Sequence, residues 1–387
     1  MRPKLTFNDS IWNAYELKDI VSFSKGKNVS LDIVTETGFP AMMYGDIYIK
    51  YDTFFNKVDY CIPIELSKDS TIIDKNTILM TCTGETAIDI GKSVCYLGET
   101  PICIGGDILA LKCTDNTDAK FLCLQLNTYD KIKERARLSQ GHSVVHLYQH
   151  HIEKSKIYKP DIATQTKIAT FLNLYYKKIE LQKKKIEQLE KLSFDALFTH
   201  KYEGKTYKLE QVLTEVNERT TQNNQYEVIS STKAGLYYQK DYFNKEIASE
   251  DNTGYKILKL NQVVISPQNL WLGNINYNDK IEIGIVSPSY RIFNINQGFN
   301  KTFISHLLKS KRAMYDYMIS SEQGASVVRR NLNIELFNEI IFMIPDIETQ
   351  NHIAHQLVLI NNKINLEKQK LEAMEKYKQG LLQQLFV

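Results

Sequence analysis

Two stretches of this chain carry a single apolar row on an otherwise charged surface. The first runs through Ile168, Leu172, Tyr175, Ile179, Ile186 and Leu189, the second through Ile353, Leu357, Ile360, Ile364, Leu371 and Met374. Steps of four and three hold such a row on one side of an α-helix and make the seam of a coiled coil. Each stretch opens with Pro-Asp followed by Thr-Gln, at Pro160, Asp161, Thr164 and Gln165 and again at Pro345, Asp346, Thr349 and Gln350, which marks a helix start. A polar residue interrupts each seam at one place, Gln182 and Glu367, as though the seam loosens at its centre. The spacing predicts two helices of about 35 residues, roughly 50 Å long. That is more than a domain of about 140 residues needs for its own core, so the simplest partner for each helix is the other.

The two stretches are copies of one another. From Pro160 to Lys191 the sequence returns, ungapped, 185 residues later, with Ile162, Ile168, Ala169, Leu172, Lys178, Ile179, Leu181, Glu187 and Glu190 among the shared positions. The likeness extends weakly outwards. Gly141-His142-Ser143-Val144-Val145 matches Gly324-Ala325-Ser326-Val327-Val328, and Tyr15 to Ile20 resembles Tyr207 to Val212. Between those edges the two halves share little, as if one frame held two different inserts.

Composition narrows the class. A length of 387 residues is too long for one ordinary core and favours two domains, and 43% hydrophobic with 24% charged residues suits a soluble globular chain. No stretch approaches eighteen consecutive apolar residues and no secretory signal opens the chain, so a cytoplasmic protein without membrane contact is expected. All six cysteines lie between Cys61 and Cys123 without a CxxC pair or a zinc-like histidine spacing, which makes free thiols the expectation and gives no metal site. Net charge is only +3, modest for a chain that would grip DNA alone. The 23 tyrosines with many Asn and Gln suit a polar recognition surface.

The order of variable domain, similar helix, second variable domain and second similar helix resembles the specificity subunits of type I restriction-modification systems, over essentially the whole chain. Local phrases agree: FPAMMYGDIYIKYD (39–52), TILMTCTGETAIDIGKSVCYLGETPICIGGDILALK (77–112), the stretch 240–277, GIVSPSYRIF (284–293) and GLLQQLF (380–386). The fold expected is α+β, with two mixed α/β target-recognition domains, each followed by a long helix. A tandem of this kind closes when the helices pair as an antiparallel coiled coil with pseudo-two-fold symmetry. The boundaries are 1–159 for the first domain, 160–203 for the central helix, 204–344 for the second domain and 345–387 for the C-terminal helix. The first copy is three residues shorter between its last shared Glu and the Phe near its end, which shifts its last turn. The resemblance implies a subunit without catalytic residues or cofactor that reads double-stranded DNA at a bipartite site and binds two methyltransferase subunits and, with them, restriction subunits. The sequence agrees on chemistry: it has no methyltransferase Asn/Asp-Pro-Pro-Tyr loop, and Gly91-Lys92-Ser93 lacks the first glycine of a phosphate loop, Thr86 standing there.

Base discrimination needs donors and acceptors in the major groove. In the first domain Tyr44, Tyr48, Lys50, Thr81, Thr83 and Glu85 fall near glycines, with His142 and His146 after another glycine; in the second, Gln268, Asn269, Trp271 and Asn274 cluster beside Gly273, and Arg329, Arg330 and Asn331 form the densest basic spot. For each of these taken singly the competing reading is an ordinary surface or core polar residue, and for Trp271 a core anchor. Lys177, Lys178, Lys183, Lys184 and Lys185 lie on the central helix and read as a solvated or subunit-contact face. The alternative of another class is a scaffold or assembly protein whose helices act as a coiled-coil spacer.

Overall fold

A computed structural model describes residues 11–198, 203–242, 251–323 and 330–386. The chain divides into two compact units, one drawn from Met1–Lys184 and Gln369–Val387, the other from Lys185–Lys368. The divisions fall within the two long helices.

The first unit is built on an antiparallel sheet in the order Val21–Lys25, Ile108–Cys113, Thr77–Thr81 and Ser93–Tyr96, with Phe54–Phe55 added in parallel at the edge. Thr77–Thr81 is buried along its full length because both faces of the sheet are covered. Ile78 and Met80 join one core with Leu122, Cys123 and Leu126 of the helix Ala119–Leu126. Leu79 faces the other way into a core with Met42, Val94 and Ile104, under a second sheet ordered Tyr60–Ile62, Phe39–Met42, Ile102–Ile104, Thr71–Ile73. The period of two along the strand thus feeds two cores from one sheet. Asn13–Glu16 pairs antiparallel with Lys156–Lys159, tying the start of the domain to its end.

The second unit repeats the frame. Leu213–Val216, Arg291–Ile295, Gln262–Ile265 and Ile275–Tyr277 form an antiparallel sheet in the corresponding order, and Gly204–Lys208 pairs with Ile341–Pro345. Val263 and Ile265 pack on Phe303, Leu307 and Tyr317 of two helices. Val264 faces a smaller core with Ile229, Leu258 and Val286. Here the covering layer is two hairpin-like pairs, Lys256–Lys259 with Ile283–Val286 and Ile229–Thr232 with Gly235–Tyr238, in place of the four-stranded sheet of the first unit. The halves share a frame and differ in what lies on that face.

The long helices span Ile162–Phe198 and Ile347–Leu385, 37 and 39 residues. Their opening motif fastens each to its own domain. Asp161 accepts from the Thr164 amide at 3.0 Å and from its hydroxyl at 2.7 Å, and Asp346 does the same with Thr349 at 2.9 and 3.2 Å. The buried Gln165 donates to the Pro160 carbonyl at 2.8 Å and accepts from the amide of Asp118, which caps the helix Ala119–Leu126. Gln350 repeats both bonds, to Pro345 and from Asn300, the cap of Lys301–Leu307.

The helices pair antiparallel. In the first unit Tyr175 donates to the Met374 carbonyl and packs edge-on against Tyr377, and Lys183 meets Glu375 at 2.8 Å. Ile168, Ala169 and Leu172 join Phe121, Leu124, Leu381, Leu385 and Phe386 in one core. In the second unit Lys185 meets Glu367 and Lys368 meets Glu190, both at 2.7 Å. The seam does not loosen at its polar positions: Gln182 and Glu367 are both buried, and Glu367 receives Lys363 at 3.1 Å as well as Lys185. Among the described residues no helix is long and apolar enough to cross a membrane.

Candidate nucleic-acid interface

The hairpin between the third and fourth strands of the common sheet carries sequence-predicted residues in both units. In the first unit Thr83–Gly84, just past Thr77–Thr81, pairs antiparallel with Val145–His146, Thr83 opposite His146. This short ladder joins loops that are distant in sequence. Tyr48 completes the junction from the helix Tyr44–Ile49, its hydroxyl 2.7 Å from the Thr81 hydroxyl and donating to the Thr83 carbonyl at 3.0 Å. Thr83 in turn donates to Asp107 at 2.9 Å and lies 3.4 Å from Nδ1 of His146. Burial pushes the Tyr48 phenol above its ordinary range. Thr81 is fully buried, so it and Tyr48 hold the loops together, while Glu85 and His142 stand exposed on them. Tyr44 lies exposed on the same short helix. Lys50 follows that helix and is drawn to Asp59 at 2.7 Å and Asp46 at 3.1 Å, with its ammonium over the Tyr60 ring.

Beneath the loop lies Arg135, buried, donating to the carbonyls of Leu126 and Ile90. Burial pushes its guanidinium down to about 10, so it keeps its charge at neutral pH. Gly91 has φ +75°, and a Cβ there would fall 2.6 Å from the Arg135 side chain, so this position requires glycine on two counts. Sequence reasoning missed Tyr148, His150 and His151. The Tyr148 ring stacks 6.2 Å from His146 and 5.8 Å from His150, and His151 sits 4.2 Å from His150. The alternation of His and Tyr along 146–151 was the available signal. Partial burial, and then the neighbouring His150, hold the His151 imidazole below its usual range.

In the second unit Gln268 is exposed and Asn269 starts the turn Leu270–Leu272, which Gly273 ends at φ 91°. The ring of Trp271 is covered by the Arg330 guanidinium at 5.1 Å, and its indole Nε1 is buried without a hydrogen-bond partner among the described residues. Arg330 also donates to the Met318 carbonyl. Asn331 is exposed on the strand Arg330–Leu332, paired with Ser321–Gln323. Asn274 turns inward: it is buried, accepts from the Ser231 hydroxyl at 2.7 Å and donates to the Ser231 carbonyl at 2.9 Å. Arg329 lies outside the described residues, as do Gly324 to Val328. Among the described residues no group of His, Cys, Asp and Glu is arranged to hold a metal ion.

Comparison with known proteins gives likenesses to a family domain, to one relative over nearly the whole chain and to solved structures. Residues 10–191 match the type I restriction modification DNA specificity domain. Over 96% of its length the chain is 23% identical to the type I restriction enzyme MjaVIII specificity subunit of Methanocaldococcus jannaschii, covering 91% of that protein. Among solved structures it is similar in fold to the type I restriction-modification S subunit from M. genitalium, with a TM-score of 0.56 and 16% identity over 100% of this chain and 99% of that one. A chain from work on complex assembly and conformational transition of the type I R-M system matches with a TM-score of 0.55 and 10% identity, covering 97% of each.

Proposed function

We infer that this chain, which belongs to the family of type I restriction-modification specificity subunits, reads the DNA sequence for such a complex and performs no chemistry itself. One observation carries the mechanism. The same hairpin of a shared frame, in the first unit together with the loop paired to it, presents different polar and aromatic residues in the two units, Glu85 and His142 in one, Gln268, Asn269 and Trp271 in the other. Two readers on one plan, with different side chains, suit a bipartite target of two unrelated half-sites. The domains 1–159 and 204–344 are then the readers, and the helices 160–203 and 345–387 set the unread gap between them. Base edges in the major groove supply the discrimination, and phosphates supply much of the affinity. With a net charge of +3, the phosphate grip is shared with partner subunits.

The partners are two copies of one methyltransferase subunit and, with them, restriction subunits. Support for two copies comes from the outer faces of the helices. Leu174 and Leu181 are 61% and 66% exposed, and the repeat places Leu359 and Leu366 at the same positions, 55% and 57% exposed. Apolar side chains repeated in this way on water-facing helices suit two equivalent docking surfaces.

A domain exchange tests the reading. Residues 204–344 are replaced by the matching segment of a related subunit and methylated adenines are mapped genome-wide. One half of the target changes and the other persists; a change in both halves, or in neither, overturns the two-reader mechanism.

A further inference from the structure

The second domain contains a two-stranded ribbon that sequence inspection passed over. Ile229–Thr232 pairs with Gly235–Tyr238, Ser230 opposite Tyr237, around a two-residue tip of Lys233 and Ala234. Its two sides differ. Ile229 and Ser231 are buried, and Leu236 and Tyr238 pack with Ile229 against the core of Leu258, Val264 and Ile292. Ser230, Thr232 and Tyr237 alternate to the opposite side, where Tyr237 is exposed, as is Lys233 at the tip. Gly284 leaves room for the close seat, since a Cβ there would lie 2.3 Å from Cδ1 of Ile229.

The underside is held by a closed polar network. Asn276 donates to the Ser231 hydroxyl at 2.9 Å and to the Thr232 carbonyl at 2.8 Å, while its own carbonyl accepts from Lys309 at 2.8 Å. Asn274 makes the two bonds to Ser231 described above, and its backbone amide donates to the Asn269 carbonyl in the loop that also carries Gln268. Ribbon and candidate loop are therefore tied together through the buried Asn274. A satisfied buried network of this kind fixes geometry rather than adding affinity.

We propose that this ribbon is the element with which the second domain enters the major groove of double-stranded DNA. Ser230 and Tyr237 face base edges, Lys233 at the tip meets a phosphate, and Asn274 and Asn276 are positioning residues beneath. A two-stranded ribbon has the width the major groove admits, and the polar outward side with a cation at its tip matches that occupant. The proposal rests on the DNA-reading function inferred above.

The test uses the full complex with its methylating partners. Lys233→Ala weakens binding to every sequence and lowers the slope of log affinity against log salt by about one. Ser230→Ala with Tyr237→Ala changes the accepted bases in one half-site and leaves the other half and the gap as in the parent. Asn276→Ala broadens that same half without touching the other. A double variant that methylates the parent sites, or alters both halves, overturns the proposal, as does an unchanged salt slope for Lys233→Ala. A parent complex that methylates no bipartite site would instead bring down the DNA-reading function itself.

Discussion

At Gln165 and Gln350 a single side-chain amide does two jobs, donating a hydrogen bond to the proline before its helix and accepting one from the backbone amide of the residue that caps a domain helix. Both side chains are buried, so truncation strands donors and acceptors away from water. Gln165→Ala is expected to cost about 2 kcal/mol, read as a lower denaturation midpoint, and Gln350→Ala to behave alike in the second unit. The caps next door give a pH dependence. The Thr164 hydroxyl and amide hold the Asp161 carboxyl below its ordinary 3.8, and the Thr349 amide, with its hydroxyl, does so for Asp346. A depressed folded value means that this stabilisation is complete above the unfolded value and is lost as pH falls through the folded one. Acid titration below about pH 4 should therefore show a steeper loss of helix signal in the parent than in Asp161→Asn. Thr81 and Asn274 show what a sequence withholds at this scale. Both are polar residues near glycines, like Glu85 and Gln268, and only the packing around them turns their side chains inward.

The long helices are legible in sequence because their signal is local: every seam residue lies three or four places from the next. The same locality misleads at Gln182 and Glu367, where polarity suggests a loose seam but Lys185 from the other helix and Lys363 one turn before satisfy the buried Glu367 carboxylate. The ribbon was unreadable for the opposite reason. Its strands are four residues long and polar on one side, and the asparagines that hold it lie more than forty residues away. The helices also carry a prediction about distance. Inserting four residues beside Gln182 adds about 6 Å of rise. Both half-sites should persist while the unread gap grows by one or two base pairs at about 3.4 Å each, as methylome sequencing would report. An insertion that changed the recognised bases and left the gap alone would break the link between helix length and spacing.

For the whole molecule, the repeat predicts stoichiometry. Leu174→Asp with Leu181→Asp charges one exposed stripe and leaves Leu359 and Leu366 intact. The purified complex should then hold one methylating subunit instead of two, measured by native mass spectrometry, with the isolated chain still folded. The frame shared by the two domains was only faintly legible, at their edges, because a sheet can keep its strand order while its buried side chains change.

The cluster formed by Phe121, Leu124, Ile168 and Leu172 is closed by Leu381, Leu385 and Phe386. During synthesis those closing residues leave the ribosome after nearly everything they cover. At 5–20 residues per second the earlier members wait, uncovered, for roughly ten seconds or longer. The half that is made first is the last to be finished, and in that interval its apolar surface is the part of the nascent chain that a chaperone would find.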